Sequence, residues 1–180
     1  SRHQKGNDRK YVGRYIKYSA AERGILFSKI NYVEIKDYIS APKVPTTIGY
    51  SILQKMRGMN TTLASKFITE KLLYDHAAPI HWGKCLSDLS ILESQELNIA
   101  DSYKALNIAH EYRDFAFILL NSSLFFFYWI VFSDCYNLTK KYFQINIPTS
   151  IDANKCKVLA EALNYDLFEK MVVAEYTYKN

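Results

Sequence analysis

A chain of 180 residues is long enough to bury one core of ordinary domain size. Its cysteines, Cys85, Cys135 and Cys156, are too widely spaced for a disulfide framework or a zinc site, which fits a reduced, cytoplasmic setting. Net charge is +5, and it is concentrated: the first 29 residues hold Arg2, Lys5, Arg9, Lys10, Arg14, Lys17, Arg23 and Lys29 against Asp8 and Glu22 alone. That asymmetry favours an acidic partner such as nucleic acid, with a solvated basic edge as the plain alternative. Fifteen tyrosines and ten phenylalanines suit a core and a base-stacking surface equally well, so aromatic content by itself selects neither. The chain opens on Ser1 with no signal peptide and no initiator methionine, which reads as a piece of a longer protein.

In chain order, residues 10–19 alternate apolar and basic side chains around Ile16, which predicts a strand with one wet, positive face. Ser19 stands where it would cap a short helix, with Glu22 at the capping-box position. A second strand is predicted over 32–36. Pro42 and Pro45 mark a loop, and residues 49–58 carry apolar side chains at helical spacing and stop on Gly58. A short helix capped by Asn60 is expected over 61–67, followed by a strand over 68–74 and a turn at 76–79. Residues 86–92 and 103–108 are strand candidates on either side of an acidic loop. Together these segments predict a small mixed sheet.

The chain is organised around residues 115–132, which include no charged side chain. Roughly 17–25 apolar residues suffice to cross a bilayer, so a membrane span has to be weighed. Asn121, Ser122 and Ser123 at the middle would be unpaired in hydrocarbon, and the mean hydropathy of the whole chain is negative, at -0.18. The stretch is therefore read as the central helix of a domain with no membrane span, apolar all round because other elements cover it. Its three polar residues are expected to allow close packing and to bond a neighbouring strand's backbone. Residues 136–141 read as a polar turn, and 142–148 as a strand ended by Pro148. Asp152 or Ser150 caps a last helix with Val158, Leu159, Ala162, Leu163 and Leu167 on its apolar face. The expected class is α+β (mixed): a small mixed sheet packed around a central apolar helix, with a C-terminal helix.

Two stretches carry a resemblance. Leu119-Leu120-Asn121-Ser122-Ser123-Leu124-Phe125, the aromatic run to Trp129 and then Ser133-Asp134-Cys135-Tyr136-Asn137-Leu138-Thr139-Lys140-Lys141 resemble the C-terminal specificity region of TaqI-like adenine-specific DNA methyltransferases and fused type II restriction-modification enzymes. There a leu-leu-asn-ser-ser-leu-phe-tyr-trp helix precedes ser-asp-gly-arg-asp-leu-asn and a basic residue or two. Upstream, Ala78-Pro79-Ile80-His81-Trp82-Gly83-Lys84 is similar to the arg-asn-ala-pro-tyr-trp segment of those proteins. The chain departs from the pattern at Cys135-Tyr136, where glycine and arginine are common, and at His81, where an aromatic is usual. The resemblance spans roughly residues 10 to 148. It implies that residues 1–36 are the tail of a methyltransferase catalytic domain or a linker, and that 37–180 form the target-recognition domain.

Methyl transfer to adenine requires a glycine-containing loop for the methyl donor and an Asn/Asp-Pro-Pro-aromatic tetrapeptide that holds the flipped base. The chain contains neither, with six scattered glycines and no Pro-Pro. The resemblance accordingly implies no catalytic residue and no cofactor in this piece, S-adenosylmethionine belonging to the parent protein. Glu34-Ile35-Lys36 matches half of a metal-dependent nuclease core, but a Glu and a Lys two apart on a strand are ordinarily solvent-facing, and no matching upstream aspartate is evident. What remains is recognition of double-stranded DNA, in which cations anchor phosphates while amides and hydroxyls read base edges. Tyr136, Asn137, Lys140 and Lys141 supply both kinds directly after the helix, where the lysines could equally complement its dipole. His81, Trp82 and Lys84 form a second candidate surface, although Trp82 is as readily a core residue. The expected partners are duplex DNA and the catalytic domain of the same chain, with no membrane. The alternative is a non-catalytic interaction or scaffold domain whose basic N-terminal segment binds another protein.

Overall fold

The computed structural model describes residues 9–14, 16, 18–36, 41–67, 70–75, 85–87 and 103–178. The strands are β1 (Lys10–Val12), β2 (Val33–Ile35), β3 (Thr61–Thr62), β4 (Glu70–Asp75), β5 (Cys85–Leu86), β6 (Tyr103–Ile108) and β7 (Asn146–Ile147). The α-helices are α1 (Thr47–Arg57), α2 (Arg113–Asn121), α3 (Ser123–Phe132) and α4 (Ala153–Tyr178). The class is α+β, as composition and periodicity implied. The sheet is not mixed, however: among the described residues β1–β2, β3–β7 and β5–β4–β6 are three small sheets, every pairing antiparallel. Side-chain alternation fixes which face of a strand is wet, but it does not name the neighbouring strand.

β1 and β2 are joined through a 3-10 helix (Ala20–Lys29) entered from Ser19. The Glu22 carboxylate accepts the Ser19 N–H at 3.0 Å and the Lys29 ammonium at 2.7 Å, closing the capping interaction that the spacing predicted. Lys29 and then Ser19 hold the Glu22 carboxyl down to about 2. The first strand is shorter than its alternation suggested, ending at Val12. At Gly13 a Cβ would lie 3.1 Å from the Asn31 carbonyl oxygen and 3.2 Å from Ile30 Cγ2, so a side chain there would require its neighbours to give by a few tenths of an ångström. Val33 and Ile35 point into the body of the protein, and the Tyr50 hydroxyl of α1 accepts the Lys36 N–H at 2.7 Å. The ribbon is thereby fastened to α1.

α1 begins at Thr46, whose hydroxyl accepts the Gly49 N–H at 3.1 Å, and it ends at Gly58 as its pattern indicated. A Cβ on Gly49 would meet Val44 Cγ1 at 3.1 Å and the Phe127 ring at 3.3 Å, so the absence of a side chain lets α1 lie against α3. The helix expected over 61–67 is instead β3 followed by a 3-10 helix (Leu63–Lys66), because Thr61 and Thr62 pair with β7. Of residues 142–148, expected as one strand, Asn146–Ile147 is strand (β7) and the first part is not. Tyr142 and Phe143 lie in a 3-10 helix (Lys140–Gln144) and both are buried, which a strand against one core could not achieve with consecutive residues.

The central apolar stretch is two helices bent by 69°. Ser122 is extended there (φ -83, ψ 153). Its hydroxyl donates to the Leu119 carbonyl at 2.6 Å and accepts the Phe125 N–H at 3.2 Å, closing α2 and capping α3. No single helix among the described residues is long and apolar enough to cross a membrane. The core gathers around the pair: Phe125 stacks on Phe143 with ring centroids 6.0 Å apart, and Phe67 meets Phe143 edge-on at 5.7 Å.

Asn121 serves the structural role expected of it. Its side-chain carbonyl accepts the Cys85 N–H at 3.0 Å, and its NH2 donates to the Cys85 and Phe117 carbonyls at 3.0 and 2.9 Å. The amide acts as one more backbone neighbour for β5. On α4 the cap is Asp152, whose carboxylate accepts the Lys155 N–H at 3.1 Å. Ala160 is buried, and Leu163 and Leu167 pack on the core. Val158, Leu159 and Ala162 are exposed, contrary to expectation, because α4 meets the rest of the fold along a narrow side facing α2.

Candidate nucleic-acid interface

The turn after α3 is built from its own polar side chains. The buried Ser133 hydroxyl accepts the Cys135 N–H at 2.9 Å, and the Asp134 carboxylate accepts the Tyr136 N–H at 3.2 Å. Between them Cys135 has φ 61, in the left-handed region that favours glycine. The Trp129 indole N–H reaches the Asn137 carbonyl at 3.4 Å, and the buried Leu138 side chain anchors the far side. These contacts make the turn a rigid extension of the helix.

Four of the seven sequence-predicted site residues fall here. Tyr136, Asn137, Lys140 and Lys141 are all exposed, Tyr136 to 75%. The Lys141 ammonium lies 4.8 Å over the Tyr142 ring, and contact with Tyr142 raises its pKa above the ordinary lysine value, so it stays cationic at neutral pH. His81, Trp82 and Lys84 lie outside the described residues.

The two lysines lie eight and nine residues beyond Phe132, the last residue of α3. They open the 3-10 helix Lys140–Gln144, which is so short that Lys141 also falls in its last turn. Lys43 serves the C-terminus of α3: its ammonium donates to the Ser133 carbonyl and its backbone N–H donates to the Val131 carbonyl at 2.9 Å. No sequence signal marked Lys43 for this role, since it comes from a loop ninety residues upstream of Ser133.

Glu34 lies on β2 and Lys36 just beyond its end, and Glu34 is paired with Arg9 at 3.8 Å. Among the described residues no group of three His, Cys, Asp or Glu side chains could hold a metal ion. The three cysteines are free thiols, and burial pushes the Cys85 thiol pKa up, which makes it unreactive. Comparison with protein-family models, curated proteins and solved structures finds no match for this chain.

Proposed function

We propose that the chain is the target-recognition part of an adenine-specific DNA methyltransferase or fused restriction-modification enzyme, and that the turn after α3 contacts duplex DNA. The observation that carries this reading is the pair Lys140 and Lys141. They are exposed on a turn held by Ser133, Asp134 and Leu138. Cations so placed suit phosphates, and the neighbouring Asn137 and Tyr136 suit base edges. The left-handed backbone at Cys135 adds support, because the resembling signature has glycine there. In this reading residues 1–36 lead from the catalytic domain and 37–180 form the recognition domain. The catalytic domain of the same chain supplies S-adenosylmethionine binding and chemistry, in a cytoplasmic setting.

The test is duplex binding and methylation by this chain joined to its catalytic domain, across a salt series. Replacing Lys140 and Lys141 with alanine should weaken binding to all duplexes about equally and lower the salt slope by about one unit per lost contact. Asn137→Ala should relax discrimination at one base pair, by about 1–3 kcal/mol, while non-specific affinity holds. Parent-like binding of the double-lysine variant at every salt concentration would remove the turn from the interface. It would leave the scaffold alternative, in which the basic N-terminal segment engages a protein.

A further inference from the structure

The β1–β2 ribbon presents an outer face that neither the core nor the turn after α3 uses. Register places Tyr11 opposite Glu34, so the two share a face. Burial alternates along the second strand: Val33 and Ile35 point inward, while Tyr32, Glu34 and Lys36 point out. Tyr11 and Tyr32, 45% and 62% exposed, therefore flank Glu34 on the wet face, and Arg9 neutralises that carboxylate from 3.8 Å. The Tyr11 side chain in turn raises the Arg9 pKa, which keeps the guanidinium charged. Residues 9–36 hold seven Lys and Arg against Glu22 and Glu34, as large an excess as the net charge of the whole chain.

We infer that this face binds single-stranded nucleic acid, with bases stacked on Tyr11 and Tyr32 and phosphates held by the surrounding cations. Aromatic rings on a sheet surface accept any base, and a net positive rim tracks the backbone; this is the pairing that strand-binding surfaces share. Duplex DNA suits the face less well, because bases already paired and stacked in a duplex are not free to stack on exposed tyrosines. Charge complementarity disfavours a cationic or neutral protein partner. The inference stands apart from the proposed role of the turn after α3, since the two surfaces have no residue in common.

Anisotropy of a labelled oligothymidylate, titrated with the 180-residue chain at low salt, tests it. Tyr11→Ser and Tyr32→Ser should each weaken binding about tenfold, in keeping with the strength of base–aromatic stacking. Tyr32→Phe should bind like the parent, because the ring is kept. Unchanged thermal melting should accompany all three, both side chains being exposed. Lys140→Ala with Lys141→Ala should leave strand binding intact, so failure on one surface is distinguishable from failure on the other. Parent-like binding by both serine variants, or no strand binding at all by the parent, overturns the inference. So would a concentration-dependent dimer in sedimentation that Tyr32→Ser dissolves, because the face would then belong to a second copy of the chain.

Discussion

Residues 9–36 and the helix pair α2–α3 are both rich in aromatic and aliphatic side chains, yet they place them in opposite settings. In α2 and α3, Phe117, Phe125 and Trp129 are sealed from water. In the N-terminal region Phe27 is 79% exposed, and the 3-10 helix that carries it buries no residue at all. Local charge separates the two cases. No charge interrupts the interior of the helix pair, whereas cations punctuate residues 9–36 every few positions and keep their neighbours in water. An aromatic side chain in the first setting contributes to folding, and in the second it is available to a partner. That distinction can be broken by substitution.

The largest effect belongs to the core. Phe125→Ala, which removes a ring stacked on Phe143 and Tyr128, should cost about 3–5 kcal/mol in urea unfolding, while Phe27→Ala should shift the midpoint hardly at all. Comparable losses at the two sites would show that the N-terminal region is part of one cooperative core. Next comes Asn121→Leu, which strands the Cys85 N–H and C=O and should cost about 1–3 kcal/mol. A thermal midpoint unchanged by this substitution, together with lost DNA binding, would reverse the residue's assigned role from fold to contact.

The smallest effect concerns Glu22, and it sharpens the comparison through pH. Its carboxyl is lowered from 4.5 to about 2 by Lys29 and then Ser19, so the ionised form is the one favoured in the fold. A depressed carboxyl contributes stability that is present above its unfolded pKa and is lost as pH falls through the folded value. Ordering of the Ala20–Lys29 segment should therefore fade between about pH 4.5 and pH 2, and Glu22→Gln should abolish that dependence. Hydrogen exchange of this segment on acidification is the measurement. Loss of protection in α2 over the same range in the parent, but not in the Gln variant, would tie the two regions together.

Much of this molecule was legible in one dimension. Ser19 with Glu22, Gly58 after α1, and Asp152 before α4 are local chemistry: each satisfies backbone groups within a few residues of itself, so spacing alone identifies it. The structural role of Asn121 was also readable, since an amide in an all-apolar stretch must find a partner. The proposed contact residues Tyr136, Asn137, Lys140 and Lys141 could be read as a group because they follow one another in sequence.

What tertiary structure decided was whatever depends on a partner far along the chain. The apolar run looked like one helix, and hydropathy could not reveal the bend, because Ser122 breaks it through bonds to both neighbours. Tyr142 and Phe143 read as alternating strand residues, but the ring of Phe125 draws Phe143 into the core and favours a tight turn over an extended run. Three small antiparallel sheets replaced one mixed sheet, since register is chosen by the strand across the gap. Lys43 reaches the C-terminus of α3 from ninety residues upstream. Sequence thus determined which groups must be satisfied, and the fold determined by whom, because hydrogen bonds and packing act through space and take no account of separation along the chain.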